Sequence, residues 1–252
     1  MTAPAPEEVD TLLYVYGLVL ADSDVPEDLE GVAGERVQVV GLGDVAALVS
    51  ELPGGELVGL PAEVRAHANV LDTVASTVAV LPMRFGTAVP DVDAIEDAVP
   101  AERLDGYAEH LRRLADAVQF TVRAQYVEQA VLAELVNEEP EIRQLREATR
   151  DQPEDATYYA RIRLGELVVK GFDRKREADA ARLVEEITPF ALELRQRETG
   201  QVEDVLEAAA LVGRAQQKAF EDALEALAER TADRIVFRLV GPQAPYDYVP
   251  EE

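Results

Sequence analysis

The 252 residues contain no cysteine, which removes disulfides, thiolate catalysis and zinc–thiolate sites at once. Histidine is scarce as well. Only His67 and His110 occur, too far apart for an HExxH metal motif. The serines are Ser23, Ser50 and Ser76, and none sits in a G-x-S-x-G elbow, so a Ser-His-Asp triad has no candidate nucleophile. No GxGxxG follows an expected strand, and no GxxxxGK[ST] phosphate loop is present. Long apolar runs are missing too. The longest are cut by polar residues, as at Tyr16–Asp22, well short of the ~18 residues that a membrane span requires. Residues 1–8 carry no basic and apolar leader pattern and read as a short disordered lead-in. These absences predict a cytoplasmic, non-catalytic chain without metal or cofactor.

What is abundant is negative charge. Fifty acidic residues face 24 basic ones, a formal net charge of −26. Nucleic acid is a poor partner for such a surface, because binding depends on cations that displace counterions. An anionic membrane leaflet is disfavoured for the same reason. The basic set is nearly all arginine, with only Lys170, Lys175 and Lys218 as lysine. Much acid and little lysine suits a salt-rich cytoplasm, where ~1 M salt shortens the Debye length to ~3 Å and screens self-repulsion. A high-GC genome that favours Ala, Arg and Val is the alternative. The acidic pairs Glu138-Glu139 and Glu185-Glu186 are what chance adjacency gives among so many acids, and no spacing marks them as catalytic or metal-binding.

Hydrophobic patterning predicts α+β in two layers. Residues 11–20 read as a buried strand, and residues 36–40 and 44–51 as two more joined by Gly41-Leu42-Gly43-Asp44. Gly54-Gly55 and Pro61 mark a loop. Residues 62–79 read as a helix with Val64, Ala68, Leu71, Ala75 and Val78 as its apolar stripe. Pro82 ends it. A short helix over 91–99 capped by Asp91, a longer one over 101–116 and a half-buried strand over 118–124 follow. The rest is mostly helical: 127–137, 140–149, 155–172, 174–199 and 214–231, with Gly165, Gly171 and Pro189 as weak points. Residues 202–213 fit helix or strand. Residues 235–240 read as a strand stopped by Gly241-Pro242. The chain divides into domains over 1–115 and 116–241, with a Pro-rich extended tail over 242–252.

Two segments stand out. In Leu81-Pro82-Met83-Arg84-Phe85-Gly86-Thr87 an arginine is fixed between proline and glycine, a setting for a fork onto a carboxylate or carbonyls and most simply for an internal salt bridge. In Gly241–Val249, Pro242, Pro245, Tyr246 and Tyr248 form an extended segment that either packs on its own domain or meets a partner. His67 borders the stripe of its helix. It reads as a core or boundary histidine, with a general base or pH-sensitive contact as the functional alternative. His110 reads as a solvated face residue.

The same segments resemble the gas vesicle protein F/L family. Tyr14-Val15-Tyr16-Gly17 matches its opening Y-x-Y-G strand. His67 and the block Val80–Thr87 match a histidine-bearing helix before V-L-P-M-R-F-G-T. Tyr159–Val168, with Gly165 and Glu166, matches Y-x-x-R-I-x-L-G-E-L-V, and Ala209–Val212 an A-A-x-L-V strand. Gly241–Val249 matches a terminal G-P-x-x-P-Y-x-F-V, with Gln243 in place of an aromatic residue and Tyr248 in place of phenylalanine. The resemblance implies a second domain with a modified ferredoxin-like fold, and residues 205–213 as strand. It implies an accessory role in building the gas-filled, buoyant vesicle shell by binding the apolar major shell protein and other accessory proteins. It brings no catalytic residue, and it implies that Tyr14, Tyr16, His67, Pro82, Arg84, Phe85, Gly165, Glu166, Pro242, Pro245, Tyr246 and Tyr248 carry partner contacts or structure. The competing reading is a ligand sensor or enzyme on a ferredoxin-like sheet, with an anion site near Arg84.

Overall fold

The structure, a computed structural model, describes residues 11–54, 59–99 and 101–250. The lead-in expected over 1–8, and Gly55 of the expected loop, lie outside them. The chain falls into two compact units. One joins residues up to Gln119 with those from Pro242 onward, and the other runs Phe120–Gly241.

The first unit is built on strand β1 (Leu12–Leu20), which is buried along almost its whole length. Strands β2 (Gln38–Leu42) and β3 (Val45–Leu52) form a hairpin in which Leu42 faces Val45. That leaves a two-residue turn, and Gly43 takes φ 79 at its first position, where a type II′ turn needs a positive φ. Helix α1 (Pro61–Ala75) follows. Strands β4 (Leu81–Pro82) and β5 (Ala88–Val89) both pair antiparallel with β1, giving the order β2-β3-β1-β4 with β5 also on β1. Helix α2 (Val92–Ala98) starts where Asp91 Oδ1 accepts the Ala94 N–H at 2.9 Å, the cap read from sequence. Helix α3 (Ala101–Leu114) packs Ala108, Leu111 and Leu114 inward.

The register of β1 against β3 slips between Val15 and Gly17, so Tyr16 is the extra residue of a β-bulge. The stripe of α1 is also rotated from the expected one. His67, Val70, Leu71, Val74 and Ala75 are buried, whereas Val64 is 44% exposed. Apolar spacing could not show that a histidine would sit inside, because its burial depends on hydrogen bonds from β1.

The second unit opens with β6 (Ala117–Tyr126), continues through α4 (Glu128–Glu138) and α5 (Pro140–Thr149), and reaches the 34-residue helix α6 (Glu154–Ile187). Strands β7 (Glu193–Gln196) and β8 (Asp204–Gly213), helix α7 (Gln217–Thr231) and strand β9 (Ile235–Gln243) complete it, with sheet order β7-β8-β6-β9. Gly171 does not weaken α6. A Cβ there would lie 2.7 Å from Leu135 Cδ2, so the glycine lets α4 approach closely. The helix expected over 174–199 ends at Ile187, because Pro189 cannot continue it and Glu193–Gln196 pair with β8 instead. Residues 204–213 are strand, since pairing on two sides overrides helix propensity. Nor does Gly241-Pro242 stop β9. A proline is tolerated on a strand at the end of the sheet order.

The core of this unit includes Phe120 and Phe220, with ring centroids 5.2 Å apart. Beside it, Arg234 bonds Glu134 and Asp179, each at 2.7 Å, and Tyr126 donates to Asp179 at 2.6 Å. Burial alone would raise the Asp179 carboxyl, but Arg234 and the Tyr126 hydroxyl hold it below its ordinary value. No helix among the described residues is long and apolar enough to cross a membrane.

Candidate functional site

The motif residues of the first unit assemble around His67. Because of the bulge at Tyr16, the Tyr14 and Tyr16 rings both reach this histidine from β1. Their centroids are each 5.7 Å from it, Tyr14 edge-on and Tyr16 stacked, while Phe85 meets it edge-on at 5.7 Å. The Tyr14 hydroxyl lies 2.8 Å from His67 Nδ1 and accepts the Gly86 N–H at 3.0 Å. The Tyr16 hydroxyl accepts from Val32 N at 2.7 Å and pairs with Ser50 Oγ at 2.8 Å. Burial pushes the Tyr14 phenol up to about 12, the Gly86 N–H offsetting only part of it, and burial raises Tyr16 as well. These hydroxyls stay protonated and serve as struts.

Residues 82–87 are held by backbone bonds. Met83 N donates to Tyr16 O at 2.8 Å, and Val15 N donates to Thr87 O at 2.9 Å. Thr87 N and Oγ1 both donate to the Arg84 carbonyl, at 3.2 and 2.8 Å. The Arg84 side chain is exposed and makes no ion pair among the described residues, so the expected internal salt bridge is absent. The loop did not need one, because its backbone already bonds to β1.

Beside this segment lies a groove of about 890 Å³. Its walls come from α1 (Val64, His67, Ala68), the 82–87 loop, the ends of α2 and the C-terminal segment (Tyr246, Val249, Pro250). His67 Nε2 is buried there, and although the Met83 backbone acts on the ring, Nε2 makes no hydrogen bond of normal geometry. The C-terminal segment reaches this unit through specific bonds. Ala244 N donates to Asp72 Oδ1 at 2.8 Å, Asp247 N to Gln119 Oε1 at 3.0 Å, and Gln119 Nε2 to Asp247 Oδ2 at 2.6 Å. His110 Nε2 bonds the Tyr248 carbonyl, so His110 is an anchor rather than a solvated residue. Tyr248 is fully buried. Residues 246–248 form a 3-10 turn instead of continuing extended, since a proline at 245 is well placed before a helical turn.

The profile of the gas vesicle synthesis protein GvpL/GvpF family matches residues 12–250. The chain belongs to this family. Gas vesicle protein F of a Streptomyces species is 34% identical over 240 residues, covering 94% of this chain and 98% of the relative. Gas vesicle protein L of the same organism is 25% identical, covering 95% and 93%. The crystal structure of GvpF from Anabaena superposes with TM-score 0.78 at 19% identity, covering 96% of this chain and 97% of that one. GvpF from Microcystis aeruginosa gives the same TM-score at 20% identity, covering 95% and 99%. Membership ties the chain to gas vesicle formation.

Within this GvpL/GvpF chain, the singled-out residues divide by role. Tyr14, Tyr16, His67, Pro82, Pro245 and Tyr248 are buried. Arg84, Phe85 and Tyr246 line the groove with exposed or half-buried side chains. Pro242 is exposed at the end of β9. Gly165 and Glu166 lie in the second unit on the exposed face of α6, where Glu166 sits 3.6 Å from Arg163. Sequence reasoning missed Ser50, Asp72 and Gln119 as holders of these residues. Nothing in their spacing signals a bond to a residue 34, 172 or 128 positions away.

Burial pulls His67 below its ordinary value, with the Met83 backbone offsetting only part of this, so the native ring is neutral at pH 7. Below about pH 6.5 the unfolded chain binds a proton that the native chain refuses. Stability should therefore fall as pH drops through that value, by at most about 1.4 kcal/mol per pH unit for one proton. Denaturant titrations of the wild type and His67→Gln between pH 5 and 8 should show a shallower slope in the variant. Equal slopes would mean that His67 does not titrate in this window.

Proposed function

We propose that the chain is a non-catalytic accessory protein of gas vesicle assembly in the cytoplasm. In this reading it binds the apolar major shell protein and other accessory proteins while the buoyant, gas-filled shell nucleates. The observation that carries the reading is what the family motifs build. Those of the first unit converge on an apolar groove, where Tyr14 bonds His67 and Tyr16 bonds Ser50 and Val32 as parts of the scaffold. The charge of −26 suits the role, because a strongly like-charged carrier resists self-association while holding a sticky client. The greater identity to the F relative than to the L relative supports an F-type member. In the second unit, the succession strand, helices, two strands, helix, strand with order β7-β8-β6-β9 supports a modified ferredoxin-like domain. The two compact units support a two-domain division, with the C-terminal segment assigned to the first.

The test is co-expression with the major shell protein followed by gel filtration. The shell protein should stay in solution and co-elute with the chain. Shell protein that pellets equally with and without the chain would refute the reading. The groove itself favours one competing reading, a small anionic ligand beside Arg84. Native mass spectrometry of the purified chain decides that case, through a stoichiometric bound metabolite that Arg84→Ala releases.

A further inference from the structure

The groove of the first unit carries more than its shape. Its lining includes no acidic side chain among the described residues, in a chain where acids number 50 of 252. The two acids whose charges reach the motif tyrosines are engaged elsewhere. Glu63 accepts the Leu60 N–H at 2.8 Å, and Asp72 accepts the Ala244 N–H at 2.8 Å. Among the described residues, Arg84 is the one charged residue of the lining and has no ion-pair partner. Deeper in the wall, His67 is 3% exposed and its Nε2 makes no hydrogen bond of normal geometry, with Met83 or any other described residue. Buried polar groups in folded proteins are nearly always bonded, so a ring nitrogen left unsatisfied in a groove wall marks a place for a polar partner.

The ligand must therefore supply three things: apolar groups for Val64, Ala68, Met83, Phe85 and Val249, a polar partner for a buried ring nitrogen, and an anion for an exposed guanidinium. An aliphatic carboxylate has acceptors only at one end. A polypeptide has a carbonyl at every residue and can carry a carboxylate beside apolar side chains. We propose that the groove takes an apolar polypeptide segment of a gas vesicle partner, with an Asp or Glu of that segment on Arg84 and a backbone amide group on His67 Nε2. This rests on the assembly reading above. The occupant is committed by charge. Among the described residues, a lining without acids and with an unpaired arginine selects an acid-bearing segment over a basic one. It also forms a local exception on a surface that otherwise repels acids.

The experiment uses the full chain and overlapping twelve-residue fluorescent peptides that tile the major shell protein, read by polarisation. Binding should be confined to apolar peptides that contain Asp or Glu. Arg84→Glu should weaken these at least tenfold and gain affinity for the same peptides with the acid replaced by lysine, which a merely structural arginine would not do. Arg84 has no partner to lose, so this variant keeps its fold, and an unchanged melting curve checks that. Val64→Arg, at an exposed position of the groove wall, should block all peptides. The proposal is overturned if both variants bind as the wild type does. It is equally overturned if dodecanoate binds and no peptide competes with it. Retained binding of the intact shell protein in either case would leave the assembly reading standing and remove only the groove from it.

Discussion

Truncation after Gly241 is expected to cost the first unit about 4 kcal/mol, the range for deleting one large buried aromatic side chain. Tyr248 and Ala244 are both fully buried, and Ala244 belongs to the core cluster of Tyr14, Tyr16 and Leu71. The deletion also strips the Ala244 N–H from Asp72, whose carboxyl is already raised by burial, and the Asp247 contacts from Gln119. Orphaned buried groups add their desolvation penalty to the lost packing. Native-state hydrogen exchange localises the effect. Protection should collapse in β1 and β3 and persist in β8. Tyr248→Ala should reproduce most of the loss. Protection lost from β8 and kept in β1 would return the segment to the unit that precedes it in sequence.

Much of the fold was legible because it rests on local signals. The Gly43 turn, the Asp91 cap, the strand periodicity of 118–124 and the long amphipathic helices all follow from residues within a few positions. Errors arose where distant pairing decided the outcome. Glu193–Gln196 is a helix-compatible sequence that becomes strand because β8 offers it a partner. The Gly241-Pro242 pair reads as a stop, yet β9 runs through it at the end of the sheet.

The site was half legible. Sequence could single out Tyr14, Tyr16, His67, Arg84 and Tyr246 as unusual, but not that they converge. Three separate facts place them together. The bulge at Tyr16 brings both tyrosines to one histidine. The 82–87 backbone bonds to β1 on both sides of Arg84. The C-terminal segment crosses to the first unit, so that Tyr246 and Val249 wall the groove. Tyr248 stands where the family resemblance implies phenylalanine, and it serves there as a fully buried anchor.

Gly17→Ala should be a severely damaging single-methyl change, destabilising the first unit by about 3 kcal/mol or more through overpacking. A Cβ at Gly17 would lie 2.5 Å from the Leu81 carbonyl oxygen, 3.1 Å from Leu71 Cδ2 and 3.2 Å from Val80 Cγ2. The first of these is backbone and cannot rotate away. Relief requires β4 to move from β1, breaking the Gly17↔Pro82 and Leu18↔Leu81 register and pulling Met83 from the Tyr16 carbonyl. The shift passes directly to Arg84, so any peptide bound in the groove should weaken along with stability. Gly165→Ala is the matched contrast. It lies in the interior of α6 with nothing within 4 Å of an added Cβ. There alanine relieves the conformational penalty of a helical glycine and should stabilise by roughly 0.5–1 kcal/mol. Denaturant midpoints for the two variants, measured together, should move in opposite directions. A Gly17→Ala midpoint within error of the wild type would show that β1 and β4 are not packed as tightly as their register implies.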